Sequence, residues 1–168
     1  NENRLNNIFT ASYNASPLFR KNINRILFDS NKTKGRARTE VVSDEGSRVD
    51  VVIQGPEEKD AVIECKIDHT VTDLQLKRHK SMPGEHYLIV KSPPDVKIRG
   101  WDLVYWDDLA FQMNRQKKDF IVSQFLAYLK EIGLMRKQVI SVKELKELST
   151  FYKKLRTDPK PSYTFGTE

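Results

Sequence analysis

The sequence predicts a mixed α/β fold, a central sheet of four to five strands flanked by helices. Three observations carry the prediction. Three consecutive β-type runs are divided by turn residues, a short helical segment links the third run to a fourth, and apolar residues recur at helical spacing towards both ends. With 168 residues the chain can bury a core without disulfide or metal staples.

Taken in order, Leu5 to Phe28 places Ile8, Leu18, Phe19, Ile23, Ile26, Leu27 and Phe28 in a helical pattern. Pro17 divides it into two helices and stands near the start of the second, where its missing N–H costs least. A basic loop, Asn31 to Gly35, precedes strands at Ala37–Val42, Arg48–Ile53 and Ala61–Ile67. The dividers Ser43-Asp44-Glu45-Gly46 and Gly55-Pro56-Glu57-Glu58 have turn chemistry, which predicts consecutive antiparallel hairpins. A helix from Val71 to about Lys80 then leads to a strand at Glu85–Val90, a β-α-β crossover that makes the sheet mixed. Leu103–Trp106 is a candidate fifth strand, and Asp107 a candidate cap for a helix through Met113. Phe120–Ile132 is a helix with Gly133 as its stop, and Ser141-Val142-Lys143-Glu144 has capping-box spacing ahead of a Leu145, Leu148, Tyr152, Leu155 stripe.

An apolar fraction of 38% with 31% charged residues describes a charge-rich globular chain. No apolar run approaches membrane-spanning length, no signal-peptide pattern opens the chain, and a single cysteine, Cys65, excludes a disulfide framework or a cysteine zinc site. A cytoplasmic protein with no membrane partner is expected. Asn at position 1 fits a piece cut from a longer protein with further domains or subunits. The formal charge of +6 is concentrated: seven basic residues against Asp29 alone between Arg20 and Arg38, and a second basic stretch from Lys137 to Lys160. Such patches suit a phosphate backbone, although solvated loops and helix faces carry the same residues. Neither a GxxxxGK[ST] loop nor a nucleophile in a recognisable turn is present, which argues against a P-loop NTPase and a serine or cysteine hydrolase.

Charge appears where strands should be apolar. In Arg48-Val49-Asp50-Val51-Val52-Ile53, Arg48 and Asp50 share one face, as do Glu64 and Lys66 in Val62-Ile63-Glu64-Cys65-Lys66-Ile67. A turn centred on Glu57 sets Asp50 opposite Glu64 and Arg48 opposite Lys66. Val49, Val51, Ile53, Ile63, Cys65 and Ile67 then form the apolar face, and a slip of one residue would ruin both faces. Opposed carboxylates repel unless a proton or cation lies between them, and magnesium commonly takes one or two carboxylates with water and phosphate. Asp50 and Glu64 meet that need, the Cys65 carbonyl could add a third oxygen, and Lys66 is a point charge suited to steadying an attacking water or a phosphate. The alternative is a salt-bridge ladder on a solvated sheet face.

Asp50, thirteen intervening residues and then Glu64-Cys65-Lys66 resembles the D-x(n)-(D/E)-x-K signature of the PD-(D/E)XK nuclease superfamily. The ordered set Arg38-Thr39-Glu40-Val41-Val42, Arg48 to Ile53, Ala61 to Ile67 and Asp73-Leu74-Gln75-Leu76-Lys77-Arg78-His79 is similar to a bacterial and phage-associated group related to the RecB-type nucleases. The resemblance implies a restriction-endonuclease-like α-β-β-β-α-β core and magnesium-dependent phosphodiester hydrolysis, with manganese able to substitute. By motif match Asp50 and Glu64 are metal ligands, Lys66 is the catalytic lysine and Gln75 approaches from the helix. His79 stands where the group has an aromatic residue, and no proline precedes Asp50.

Residues 1–158 are read as one nuclease-like domain: a helical lead-in over 1–36, a catalytic core over 37–106, C-terminal helices over 107–158, and a tail over 159–168. Arg36, Arg38, Arg48, Arg78 and His79 are the candidate nucleic-acid contacts, and His69 could reach phosphate. Two readings of Glu40 stay open: a further metal ligand, if the first hairpin turns at Glu45 and sets it opposite Asp50, or a partner of Arg38 or Arg48. DNA is favoured over RNA by the family's majority, whose members act in phage defence or DNA repair. A homodimer is one way to cut both strands. The rival readings are a silent nuclease-fold module that binds nucleic acid or protein, and an RNA nuclease that needs an activator.

Overall fold

The computed structural model describes residues 2–43, 46, 48–68, 71–96 and 98–135. They belong to one compact unit, Asn1–Arg136; a second unit, Lys137–Glu168, lies outside the described residues, and so does the boundary expected at 158. The capping box at Ser141, the Leu145 to Leu155 stripe, the second basic stretch, the tail and His69 therefore fall outside them as well.

Helix α1 spans Glu2–Ala15 and α2 Pro17–Phe28. Ser16 caps α2, its hydroxyl accepting from the Phe19 N–H at 3.0 Å, with Pro17 in the first turn where no N–H is needed. The loop behind α2 is held by one buried side chain. Asn24 accepts from the Tyr13 hydroxyl at 2.7 Å and donates to the carbonyls of Lys32 and Lys34 at 2.8 Å each. Gly35, at φ +139°, sits so close to Tyr13 and the Gln54 carbonyl that a Cβ there would collide with both.

Strands β1 (Arg36–Val42), β2 (Arg48–Gln54), β3 (Asp60–Lys66), β4 (Glu85–Val90) and β5 (Asp102–Tyr105) form one sheet in the order β1-β2-β3-β4-β5. The first two pairings are antiparallel and the last two parallel, so the sheet is mixed as expected. Helix α3, Asp73–His79, is the crossover between the parallel strands β3 and β4. Helices α4, Trp106–Asn114, and α5, Phe120–Glu131, complete the described residues.

The two faces are covered differently. Val51, Ile53, Ile63, Cys65 and Ile89 point into a core shared with α1, α2, α4 and α5. Phe9 meets Phe19, Trp106 and Phe125 there with ring centroids 5.7 to 6.1 Å apart, two of the three edge to face. The other face carries a smaller cluster in which Val62, Leu88 and Val90 lie under Leu76 of α3 and Trp101.

Two expectations need correction. Val49, expected beside Val51, packs instead in the α3-side cluster with Val41. The alternation breaks at Asp50, opposite Glu40, whose backbone is left-handed at φ 54°. Helix α4 starts at Trp106, not after it: Asp107 falls in the first turn and the capping position is Tyr105, without a side-chain hydrogen bond. Trp106 is fully buried, and its packing places it in the helix rather than at the end of β5.

Candidate active site

The β2–β3 hairpin sets the geometry. Val51 pairs with Ile63, Val52 with Val62 and Ile53 with Ala61, the register of a turn centred on Glu57. Continued by one residue, it puts Asp50 opposite Glu64. There the Asp50 carboxylate accepts from the Cys65 N–H at 2.9 Å, so the side chain holds the two strands together. The Cys65 thiol points into the core, and burial followed by the Asp50 and Glu64 charges pushes it well above the ordinary thiol range. It is no nucleophile.

Glu64 and Lys66 lie on the other face of β3, both nearly buried at 3% and 9% exposure. Lys66 Nζ is 2.8 Å from Glu64 Oε1 and 3.6 Å from Glu2 Oε2. His79 Nδ1 stands 3.4 Å from Glu64 Oε2. The pair is within ion-pair distance, although its geometry is not that of a hydrogen bond.

Asp50 has the least favourable charge. Burial, then the nearby Glu64 charge, raises its carboxyl to about 6, against the pull of the Cys65 N–H and Lys66. Burial also pushes Glu64 up, but His79 and Lys66 outweigh it and hold that carboxyl below its ordinary value. For Lys66 burial favours the neutral amine, and the carboxylates, Glu64 foremost, outweigh it and keep the ammonium. At neutral pH the site holds two adjacent carboxylates and one buried cation.

Glu2 is the residue that the sequence reading missed. From the first turn of α1 its carboxylate accepts from the Ile67 N–H at 3.0 Å and approaches Lys66. A signal for it existed: Glu2 leads the helical series Leu5, Phe9, Tyr13, all fully buried, so its side chain leaves the helix on the side that meets the sheet.

The other candidates fall at varying distances from this centre. Gln75 is half-buried one turn before His79, and its contacts are with Thr72, which caps α3. His79, expected to grip nucleic acid, is 6% exposed and turned inward with Leu76, because both lie on the inner face of α3. The β1–β2 register sets Glu40 opposite Asp50, but the Glu40 carboxylate pairs with Arg48 at 3.6 Å, both side chains more than half exposed. Arg36 and Arg38 stand exposed on the edge strand, paired across to Gln54 and Val52. They share the face that carries Glu64 and Lys66, and have no side-chain partner among the described residues. Arg78 is exposed on α3. Arg20, by contrast, is committed to structure, donating to the carbonyls of Tyr13, Asn14 and Thr33.

Among the described residues no three His, Cys, Asp or Glu side chains converge closely enough to cage a metal ion by themselves. Magnesium asks for less, one or two carboxylates completed by water and phosphate oxygens. The class that fold and site define is a mixed α/β domain with an acid–acid–lysine cluster at one sheet face. No protein-family model, no curated protein and no solved structure matches the chain.

Proposed function

We propose that the chain is a divalent-metal-dependent nuclease that hydrolyses phosphodiester bonds, with DNA as its substrate and a restriction-endonuclease-like core. The observation that best supports this is the meeting of half-buried Asp50 with nearly buried Glu64 and Lys66 at the β2–β3 hairpin. A surface salt-bridge ladder would leave these groups in water, whereas Glu64 and Lys66 are nearly buried. The residues fit a hard cation: Glu64 Oε2 has no hydrogen-bond partner, and the Glu64 charge helps raise Asp50 to about 6.

Asp50 and Glu64, with the Cys65 carbonyl, would hold magnesium, or manganese in its place. Bound there, the ion would make a water more acidic and offset charge on the phosphate. The Lys66 ammonium donates a hydrogen bond to a phosphate oxygen as the water oxygen, losing its proton to solvent, bonds to phosphorus and the P–O bond to the leaving sugar breaks, the sugar oxygen taking a proton from solvent. Glu2 keeps Lys66 in place and charged, and His79 walls the far side of Glu64. Arg36 and Arg38 offer charge to the phosphate backbone along the open edge of the same face.

The test is cutting of supercoiled plasmid, linear duplex, single-stranded DNA and RNA with magnesium, manganese or EDTA. Metal-dependent cutting of DNA is expected, abolished in Asp50→Ala and Lys66→Ala and reduced roughly 10- to 100-fold in Glu2→Gln, which keeps the acceptor for Ile67 but not the charge. Melting curves of each variant separate lost chemistry from lost fold. Cutting that survives both alanine variants would refute the reading. Nucleic-acid binding without cutting under any condition would replace it with the silent module.

A further inference from the structure

Beside the site lies a cavity of about 390 Å³ to which no role has yet been given, with Lys66 in its wall. It opens where β3 and β4 run out together. Lys66 pairs with Val90, and beyond that pair the chain parts into the segments leading to Val71 and to Val96. The crevice beyond the carboxyl ends of parallel strands is where open α/β sheets bind ligands. Val71, Val90, Pro93 and Pro94 make much of the wall apolar, while Asp68, Asp95 and Ser92 add groups able to accept hydrogen bonds from a base or sugar. Lys91, also in the wall, is tied among the described residues to Asp68 at 3.4 Å, with its side chain 42% exposed, a weak bond that a phosphate could displace.

Resting on the nuclease reading, we infer that this cavity takes one unstacked nucleotide next to the scissile phosphate, so that the preferred substrate is a single strand or an unpaired end. The volume is that of a small-molecule pocket. A stacked base pair does not enter such a space, and a base swung out of its stack packs against apolar side chains. Its phosphate lies between Lys66 and Lys91. Because Lys66 belongs to both cavity and acid cluster, a nucleotide seated here presents its phosphate to Asp50 and Glu64.

The test has two arms on the full chain. In the first, the four deoxynucleoside 5′-monophosphates are titrated without metal into isotope-labelled protein followed by amide NMR. Shifts are expected at Val71, Val90, Lys91, Ser92, Asp95 and Val96, and should vanish in Ser92→Trp, which fills the cavity from an exposed position, and weaken in Lys91→Ala. In the second, cutting of a single strand is compared with that of its blunt duplex. The single strand should be favoured at least tenfold in kcat/KM, and Ser92→Trp should remove the preference through KM. Monophosphates that shift nothing, or equal cutting of both substrates unchanged by Ser92→Trp, would overturn the inference while leaving the nuclease reading intact. Cavity shifts in a chain that cuts nothing would keep the nucleotide site and sink the nuclease reading. Lys91→Ala carries the same comparison if Ser92→Trp fails to fold.

Discussion

Asp50 links the fold to the proposed chemistry. Its carboxyl sits at about 6 because it is partly buried beside Glu64. A carboxyl that holds its proton more tightly in the folded state stabilises the fold at low pH. That contribution is whole below the unfolded value near 4 and lost as pH rises through 6. A rise of two units corresponds to roughly 3 kcal/mol, and partial exposure reduces it to about 1–2 kcal/mol. Asp50→Asn should therefore stabilise the protein at pH 8 and do little at pH 4, as read by urea unfolding at both values. A gain of equal size at both would show that the charge is not the cause. Bound metal acts in the opposite sense, since it favours the ionised pair and its stabilising effect grows with pH.

The β2–β3 hairpin is the element on which the site depends. Its turn, Pro56–Glu58, has Glu57 and Glu58 left-handed at φ 62° and 60°, a conformation that glycine adopts without cost. Glu58→Gly should raise stability by up to about 1 kcal/mol and leave cutting unchanged, as denaturant unfolding would show. A loss of stability would mean that Glu58 makes a contact that matters. This hairpin was legible in the sequence, because β-branched residues alternate with charge and the register centred on Glu57 puts Val51, Ile53, Ile63 and Cys65 on one face. The break at Asp50 was not, since it comes from the left-handed Glu40 on a neighbouring strand, and the sequence gives no sign of that conformation at a glutamate. Glu2 was missed for a related reason. A single acid opening a helix looks like a solvated charge or a favourable dipole contact until tertiary packing brings it to Ile67, 65 residues away.

At the scale of the whole molecule the arrangement is asymmetric. Among the described residues, four helices close one face of the sheet around Phe9, Phe19, Trp106 and Phe125, while the other carries the smaller cluster that runs from Val49 to Trp101 beside α3. Arg36 and Arg38 stand exposed on the edge strand of that face. The charge of +6 was legible at once, but its use was not. Arg20 is bound to backbone carbonyls, Arg25 to Gln112 and Lys32 to Glu57, so three of the seven basic residues of the first patch are committed to contacts away from the site. The claim on which the rest stands is that Asp50 and Glu64 share a divalent cation, and manganese binding followed by electron paramagnetic resonance tests it most directly. Wild-type protein at pH 7.5 should bind manganese in competition with magnesium, and Asp50→Asn and Glu64→Gln should each weaken binding at least tenfold. Manganese bound equally well by both variants, or not bound by the wild type at all, would contradict the account.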